Sequence, residues 1–224
     1  MSTYTNSKQK LRPLIIIGAG GHAVSIANVA LSSGYEIAHF VDKNKRESIL
    51  LGIKIISDIS DLTDVSEFVF SIAVGQNFNR QRIYNELTEK YKNLTFPALV
   101  HPSSVISHFA KIDNGTVVMP NAIIGPNSVV GKFCIVNTQS SIDHDCVMSD
   151  FSSLSPKAVT GGSVKIGFRS AISIGAVVKH NTKIGDDSIL GSNSYLNKDL
   201  HSNCVAYGTP AKVIRNREID ESYL

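Results

Sequence analysis

Cysteine is scarce in this sequence: its 224 residues include only three, Cys134, Cys146 and Cys204. An odd number at these spacings fits neither a disulfide framework nor a zinc site. The sequence also lacks any run approaching the roughly 18 apolar residues that span a bilayer. Its polar start, MSTYTNSKQKLRP, has no apolar centre of the kind found in a signal peptide. These absences predict a cytoplasmic protein without a membrane partner.

A large excess of charge of one sign is also missing. The 22 lysines and arginines face 19 aspartates and glutamates, which gives a net charge of +3. The basic residues are scattered along the chain, without a cluster and without interleaved aromatic residues. Because nucleic-acid-binding proteins concentrate their basic residues in patches, we expect no nucleic-acid partner.

The first hundred residues alternate apolar runs with helical patterns. LIIIG (residues 14–18) is typical of a buried parallel strand, and residues 22–33 follow as a helix that Gly34 can terminate. Further strands are predicted at 37–42 and 68–75, a helix at 80–91, and a closing apolar segment at 96–102. This alternation predicts an α/β, Rossmann-like domain with a parallel sheet over residues 1–102.

Beyond residue 102 an apolar residue recurs at every sixth position. Fifteen of the sixteen positions are apolar, and Thr160 is the exception. The sixteen are Ile106, Ile112, Val118, Ile124, Val130, Val136, Ile142, Met148, Leu154, Thr160, Ile166, Ile172, Val178, Ile184, Leu190 and Leu196. Four residues after each of them stands Ala, Ser, Thr or Cys, except at Val164 and Leu200.

A period of six is the signature of a parallel β-helix. Three hexads form one triangular coil of 18 residues, and successive coils stack at about 4.8 Å, the spacing of hydrogen-bonded strands. One large and one small residue of each hexad point inward, which accounts for Cys134 and Cys146 as small buried residues. The pattern predicts an all-β domain over residues 103–224.

The segment GAGGHA (residues 18–23) follows a predicted strand and opens a predicted helix. In that context glycines let a phosphate approach the backbone at the helix N-terminus. Asp42 ends the second predicted strand, where a dinucleotide fold places its ribose acceptor. A nicotinamide dehydrogenase is disfavoured, because fewer than ninety residues separate Leu14 from Pro102, too few for two mononucleotide-binding halves. A purely structural turn without a ligand remains an alternative.

A histidine flanked by acids, His144, occurs in the segment NTQSSIDHDCVMSD (residues 137–150). Asp145 beside it would raise its basicity and fix its tautomer, as a general base requires. His108 and His180 lie 36 residues away on either side, which is two coils, but no acid follows either of them. Since each is about 10 Å from the next, the three cannot ligate one metal ion within a chain. A solvated turn is the alternative interpretation.

Five motifs together resemble those of the bacterial sugar acyltransferase family: IIIGAGGHA, AVGQN, HPSS, NT…IDHDC and YGTPAKVI. The resemblance extends from about residue 13 to residue 217. It implies a left-handed β-helix, a homotrimer, acetyl-CoA as co-substrate at a subunit boundary, and no metal.

The same resemblance implies roles for individual residues. His144 and Asp145 match the catalytic pair, base and partner. The positions that match the site for a nucleotide-linked sugar are Gly20, Gly21, His22, Asp42, Lys43, Gly75 and Asn137. Those that match acetyl-CoA contacts are Ser153, Gly162, Ile174, Ser192 and Lys212.

The function this implies is N-acetylation of a nucleotide-linked amino sugar in lipopolysaccharide or capsule biosynthesis. O-acetylation of a sugar, with sialic acid as the first candidate, is the nearest alternative. A non-catalytic β-helix that serves as a binding scaffold is a more distant one. We expect direct attack of the acceptor on the thioester with His144 as general base, and no covalent acyl-enzyme, because Cys146 is predicted to point inward.

Overall fold

A computed structural model describes residues 11–223. Its N-terminal part contains one five-stranded sheet in the order β3-β4-β2-β1-β5. The strands are β1 (Leu14–Ile17), β2 (Ile37–Val41), β3 (Ile49–Leu50), β4 (Ile53–Ile56) and β5 (Val69–Ile72). Strand β1 lies between β2 and β5 and pairs in parallel with both, as its fully apolar sequence predicts.

Two helices cover the two faces of this sheet. Helix α1 (Gly21–Ser32) packs in one apolar cluster with Leu14 and Ile16, and α2 (Asn77–Lys90) contributes to the cluster that contains Ile15 and Ile17. Alternate residues of β1 therefore face opposite helices, which explains why the whole strand is apolar. Two 3-10 turns, Ile59–Asp61 and Val65–Glu67, lead into β5.

Two features of this domain differ from the sequence-based expectation. Helix α2 begins at Asn77, three residues before the predicted start at residue 80. The β3–β4 hairpin was not predicted, and its strands are antiparallel. Its turn residues Leu51 and Gly52 both adopt positive φ, 52° and 75°. Leucine is an unusual residue for such a turn, so the sequence carries no hairpin signal there.

The rest of the described chain is a parallel β-helix built from two-residue strands. They are β6 (Leu99–Val100), β7 (Val105–Ile106), β8 (Lys111–Ile112), β9 (Val117–Val118), β10 (Ile123–Ile124), β11 (Val129–Val130), β12 (Ile135–Val136), β13 (Ser141–Ile142), β14 (Val147–Met148), β15 (Ser153–Leu154), β16 (Val159–Thr160), β17 (Lys165–Ile166), β18 (Ala171–Ile172), β19 (Val177–Val178), β20 (Lys183–Ile184), β21 (Ile189–Leu190) and β22 (Tyr195–Leu196).

Every third strand belongs to the same face of a triangular prism. The first face consists of β6, β9, β12, β15, β18 and β21; the second of β7, β10, β13, β16, β19 and β22; the third of β8, β11, β14, β17 and β20. Strand β23 (Cys204–Gly208) extends the first face in parallel with β21, and β24 (Ala211–Asn216) turns back antiparallel to β23.

The β-helix begins slightly earlier than the boundary expected between residues 102 and 103. Leu99 of β6 already pairs with Val117 of β9, so the apolar segment 96–102 supplies the first strand of the prism. The limits predicted at residues 1 and 224 lie outside the described residues.

The hexads occupy the positions that the period predicts. The large residues of each hexad form the interior, together with the small Ala and Cys residues four positions later. Thr160, the one polar member, also points into the prism and is only 2% exposed. At the corners, residues six apart adopt the left-handed conformation, from Asn121 (φ 58°) to Asn193 (φ 54°).

The N-terminal domain packs against the early coils of the first face and against one corner of the prism. Val117 and Met119 join the apolar cluster of α1, while Phe133 and Phe151 join that of α2, with their rings stacked 5.2 Å apart. No other segment of residues 11–223 covers the second face, which carries an outward apolar column. Its exposed members are Val105 (63%), Ile123 (46%), Val159 (37%) and Val177 (41%).

Candidate active site at the prism corners

His144 lies where the chain passes from β13 on the second face to β14 on the third, which we name the His144 corner. Asp145 takes the left-handed conformation of these corners (φ 57°), which aspartate tolerates better than most residues. Nδ1 of His144 is 2.7 Å from Oδ2 of Asp145. The other carboxylate oxygen accepts a 3.1 Å hydrogen bond from the Asn127 amide, one coil earlier. Asp145 is therefore held between His144 and Asn127.

This arrangement gives His144 the properties of a base. Its hydrogen bond with Asp145, and then the charge of Asp143, raise the pKa of His144 above its ordinary value. The hydrogen bonds from His144 and Asn127 lower the pKa of Asp145. Both side chains of the pair are about half exposed, so solvent screens the pair and it adds little to folding stability. Because Asp145 engages Nδ1, Nε2 is left to take a proton from a substrate.

The backbone of Gly162 packs against the His144 ring. A Cβ built on Gly162 would lie 2.5 Å from Cε1 of His144 and closer still to Nε2. The glycine one coil after the histidine therefore leaves the space that the imidazole occupies. The sequence-based expectation made Gly162 an acetyl-CoA contact, and the structure adds that it lies against the His144 ring.

His108 and His180 stand in the same column of corners as His144, as the spacing predicts. Neither ring has a carboxylate partner within residues 11–223, and no group of three metal-ligating residues occurs in that range. Cys146 is 2% exposed and faces the prism interior, as predicted. Asn137 lies elsewhere, at a corner between the first and second faces, where its Oδ1 accepts a 2.8 Å bond from the backbone N–H of Thr138.

The glycine turn joins β1 to α1 as expected. Gly18 has φ +112°, a backbone conformation that glycine adopts and other residues rarely do. A Cβ built at this position would lie 3.0 Å from the carbonyl oxygen of Ala73. Around Gly20 and Gly21, by contrast, no atom lies within 4 Å of a built Cβ, so the space in front of the α1 N-terminus is open. Asp42 reinforces the turn, since its Oδ2 accepts a 3.2 Å bond from the Ala19 N–H.

Three other predicted sugar-site residues surround this turn. His22 is the second residue of α1, and burial, followed by the charge of Arg80, lowers its pKa to about 4. Its Nε2 is buried and has no hydrogen-bond partner in the described chain. Lys43 is exposed directly after Asp42, and Gly75 follows β5. An open, glycine-lined space with a neutral histidine beside it suits a phosphate-containing ligand.

The residues expected to contact acetyl-CoA fall into separate places. Ile174, 55% exposed, and Ser192 lie at a corner between the first and second faces, which we name the Ile174 corner. Lys212 of β24 pairs with Tyr207 of β23. The turn between these strands is bonded to the coil of Ser192, because the Gly208 N–H donates to Ser194 Oγ over 3.0 Å. Ser153 is not brought to this group, since it is buried on the first face beside Tyr223.

The sequence-based interpretation missed three residues that meet between the two domains: Asn77, Arg80 and Tyr223. The motif AVGQN, residues 73–77, drew attention to Gly75. Nothing in a single sequence marks Arg80, five residues after Gly75, as buried. A shallow groove of about 540 Å³ on the third face, lined by Lys165, Lys183 and His201, does not include His144. Within residues 11–223 the His144 side chain is 54% exposed and stands on an open corner.

Comparison with known proteins agrees with this geometry. The family described as "PglD N-terminal domain" matches residues 13–87, and "Bacterial transferase hexapeptide (six repeats)" matches residues 163–198. The acetyltransferase domain of PglB from Neisseria gonorrhoeae FA1090, solved in complex with acetyl coenzyme A, is 31% identical to this chain. The match has a TM-score of 0.85 and covers 91% of this chain and 99% of that one.

Two further relatives have names or descriptions that include GDP-perosamine. PerB from Caulobacter crescentus, solved in complex with CoA and GDP-perosamine, is 28% identical with a TM-score of 0.82, over 90% of this chain and 96% of that one. GDP-perosamine N-acetyltransferase of Escherichia coli O157:H7 is 31% identical over 111 residues. That match covers 49% of this chain and spans about half the relative's length, 49%.

A prism of hexapeptide coils with an acid-paired histidine at its corner defines an acyltransferase of the hexapeptide-repeat class. The chain belongs to the family of bacterial sugar acyltransferases in which a PglD-type N-terminal domain precedes a left-handed β-helix. The predicted family and fold are thereby confirmed.

Proposed function

We propose that this chain transfers the acetyl group of acetyl-CoA to the amino group of a nucleotide-linked amino sugar. The reaction would serve bacterial surface-glycan synthesis in the cytoplasm, such as that of lipopolysaccharide or capsule. The observation that carries the proposal is the 2.7 Å bond between His144 Nδ1 and Asp145 at the prism corner. The names of the relatives favour an amine over a hydroxyl as acceptor.

The chemistry follows from the free Nε2 of His144. The sugar amine attacks the thioester carbonyl, a C–N bond forms, and the amine proton passes to Nε2. The C–S bond then breaks, and the coenzyme thiolate receives a proton. Asp145 stabilises the imidazolium formed in between and keeps its tautomer fixed. Buried Cys146 takes no part, so transfer is direct and no acyl-enzyme forms.

The site requires more than one copy of the chain. His144 stands at one end of the second face and the Ile174 corner at the other, with the width of the prism between them. A ring of copies with their second faces turned inward brings the His144 corner of one copy to the Ile174 corner of the next. Three triangular prisms close such a ring and bury the apolar column of the second face. We therefore propose a homotrimer with the active site between subunits.

A thiol-release assay with acetyl-CoA tests the function. Nucleotide-linked amino sugars, GDP-linked ones included, serve as acceptors, and each product is analysed by mass spectrometry. We expect release only with an amino sugar and a hydroxylamine-resistant amide as product. A hydroxylamine-labile ester would favour the O-acetylation alternative. If a nucleotide sugar binds tightly but no acceptor causes release of thiol from acetyl-CoA, the chain is a binding protein and not an enzyme.

A further inference from the structure

Arg80, on the first turn of α2, is 1% exposed and donates all five of its N–H groups. Nε donates to Phe133 O (2.8 Å), Nη1 to Val74 O and Gly75 O (2.9 Å each), and Nη2 to Asn77 Oδ1 (2.6 Å) and Phe151 O (2.9 Å). No ion pair of Arg80 occurs within residues 11–223. A guanidinium surrounded only by neutral acceptors fixes backbone positions through its planar geometry.

The acceptors of Arg80 belong to two different domains. Val74 and Gly75 form the loop after β5, whereas Phe133 and Phe151 stand at the corner between the third and first faces of the prism. Both phenylalanines adopt the left-handed conformation (φ 52° and 58°), which is uncommon for bulky residues. Their carbonyls are thus held at this corner, and one side chain ties them to the loop that carries Gly75.

Asn77 bonds to the prism, to the C-terminal tail and to Arg80 of its own helix. Its side-chain N–H₂ donates to Arg169 O (3.0 Å) and Ser170 O (3.1 Å) on the prism, and its Oδ1 accepts from Arg80. Its backbone N–H donates to the Tyr223 hydroxyl over 3.1 Å. Tyr223 comes from beyond β24, so a third segment of the chain meets the other two here.

Tyr223 contacts both the Gly75 loop and, through Arg217, the prism. Its hydroxyl donates to Gly75 O over 3.5 Å, the same carbonyl that Arg80 binds. Arg217 stacks on its ring at 5.7 Å and donates to Asp187 O on the prism over 3.0 Å. The tail is therefore anchored to the prism on one side and holds the Gly75 loop on the other.

We propose that Asn77, Arg80 and Tyr223 form an interdomain latch, a set of positioning residues that fixes the Gly75 loop against the β-helix. Its effect on substrate rests on the proposed function, in which Gly75 borders the nucleotide-sugar site. A loop held in its bound position loses less conformational freedom on binding, so the latch strengthens nucleotide-sugar binding. It does not touch the His144 corner and leaves the acetyl transfer step unchanged.

Tyr223→Phe is the sharpest test, because it removes one hydroxyl and keeps the ring that stacks on Arg217. Tyr84→Phe is the matched control, since Tyr84 also packs between the domains but forms no hydrogen bond through its hydroxyl in the described chain. We expect Tyr223→Phe to raise KM for the nucleotide sugar about fivefold and to leave kcat within about twofold of wild type. Acetyl-CoA affinity should be unchanged in both variants.

Amide hydrogen exchange separates the latch from the proposed function. Loss of the hydroxyl acceptor should speed exchange of the Asn77 amide about tenfold in Tyr223→Phe but not in Tyr84→Phe. Unchanged exchange, or faster exchange with an unchanged KM, overturns the positioning role. If wild type acetylates no nucleotide sugar, the proposed function fails. The latch is then tested by the exchange rate of the Asn77 amide with and without added GDP, since GDP bound beside the Gly75 loop should slow that exchange. A rate that GDP leaves unchanged would overturn the link between the latch and the nucleotide site.

Discussion

Gly162 and the imidazole of His144 are in van der Waals contact across successive coils, with no room between them for a methyl group. Alanine at this position is not strained by its own backbone, because Gly162 lies outside the left-handed region. We expect Gly162→Ala to displace the ring and lower kcat about tenfold or more, with an unchanged melting temperature. If acetyl-CoA binding weakens while kcat holds, Gly162 is a cofactor contact, as the family resemblance implies.

His144→Ala should lose general-base catalysis. We expect kcat to fall about 100-fold to 10,000-fold while KM for both substrates changes little. Folding should be unaffected, because the side chain is half exposed. His108→Ala and His180→Ala are matched controls at the same corner in other coils and should keep wild-type turnover. A folded His144→Ala protein with normal turnover would disprove the mechanism.

The pH profile of kcat/KM should report the His144–Asp145 pair. A base must be neutral, so activity should rise with pH through the raised pKa of His144. Asp145→Asn removes the largest cause of that raised pKa. We therefore expect the acidic limb of the profile to move to lower pH and the plateau rate to fall, because the imidazolium loses its partner. An acidic limb that stays in place would assign the titration to another group.

The open space at Gly21 can be filled without disturbing the fold. Gly21→Leu should raise KM for the nucleotide sugar more than tenfold, because the side chain would occupy the place proposed for phosphate. Ser25→Leu, one turn further along α1 and also exposed, is the control and should leave KM unchanged. Titration calorimetry with acetyl-CoA should give the wild-type affinity for both. Weakened acetyl-CoA binding in Gly21→Leu would reverse the assignment of ligands to domains.

The second face should be the contact between copies. Val177→Glu puts a charge into its apolar column, whereas Val147→Glu makes the same change on the third face at nearly equal exposure, 41% against 39%. We expect light scattering to give a monomer for Val177→Glu and a trimer for Val147→Glu. Acetylation should be lost with the trimer, since in the proposed assembly the two corners of the site belong to different copies. A monomeric wild type at micromolar concentration would refute the shared site.

The hexad period determines much of this structure from sequence. It correctly assigns the interior positions, the inward orientation of Cys146 and the column of His108, His144 and His180, because each coil repeats the same geometry. Within the N-terminal domain, β1 and α1 were equally predictable from apolar pattern and glycine turn. Local sequence suffices wherever one short pattern decides the conformation.

Contacts between distant segments were not predictable in the same way. Arg80 looks like any polar residue of a surface helix, and its burial depends on carbonyls of Phe133 and Phe151 more than fifty residues away. Ser153 follows the hexad rule for an outward residue, but the N-terminal domain and Tyr223 cover it. The hexad period predicts which side chains point out of the prism, but it does not predict which other segments of the chain cover them.

The regular stacking of coils also fixes the distances between residues along the axis of the β-helix. His144 and Ser192, beside the β23–β24 turn, are 48 residues apart. At 18 residues a coil this is nearly three coils, a rise of roughly 13 Å along the prism axis. Insertion or deletion of one whole coil between them would preserve every hexad and every corner, yet change that length in a step of about 4.8 Å. If acetyl-CoA lies as proposed, the repeat number sets the length of donor that can extend from the β23–β24 turn to His144, and that length can change only in whole coils.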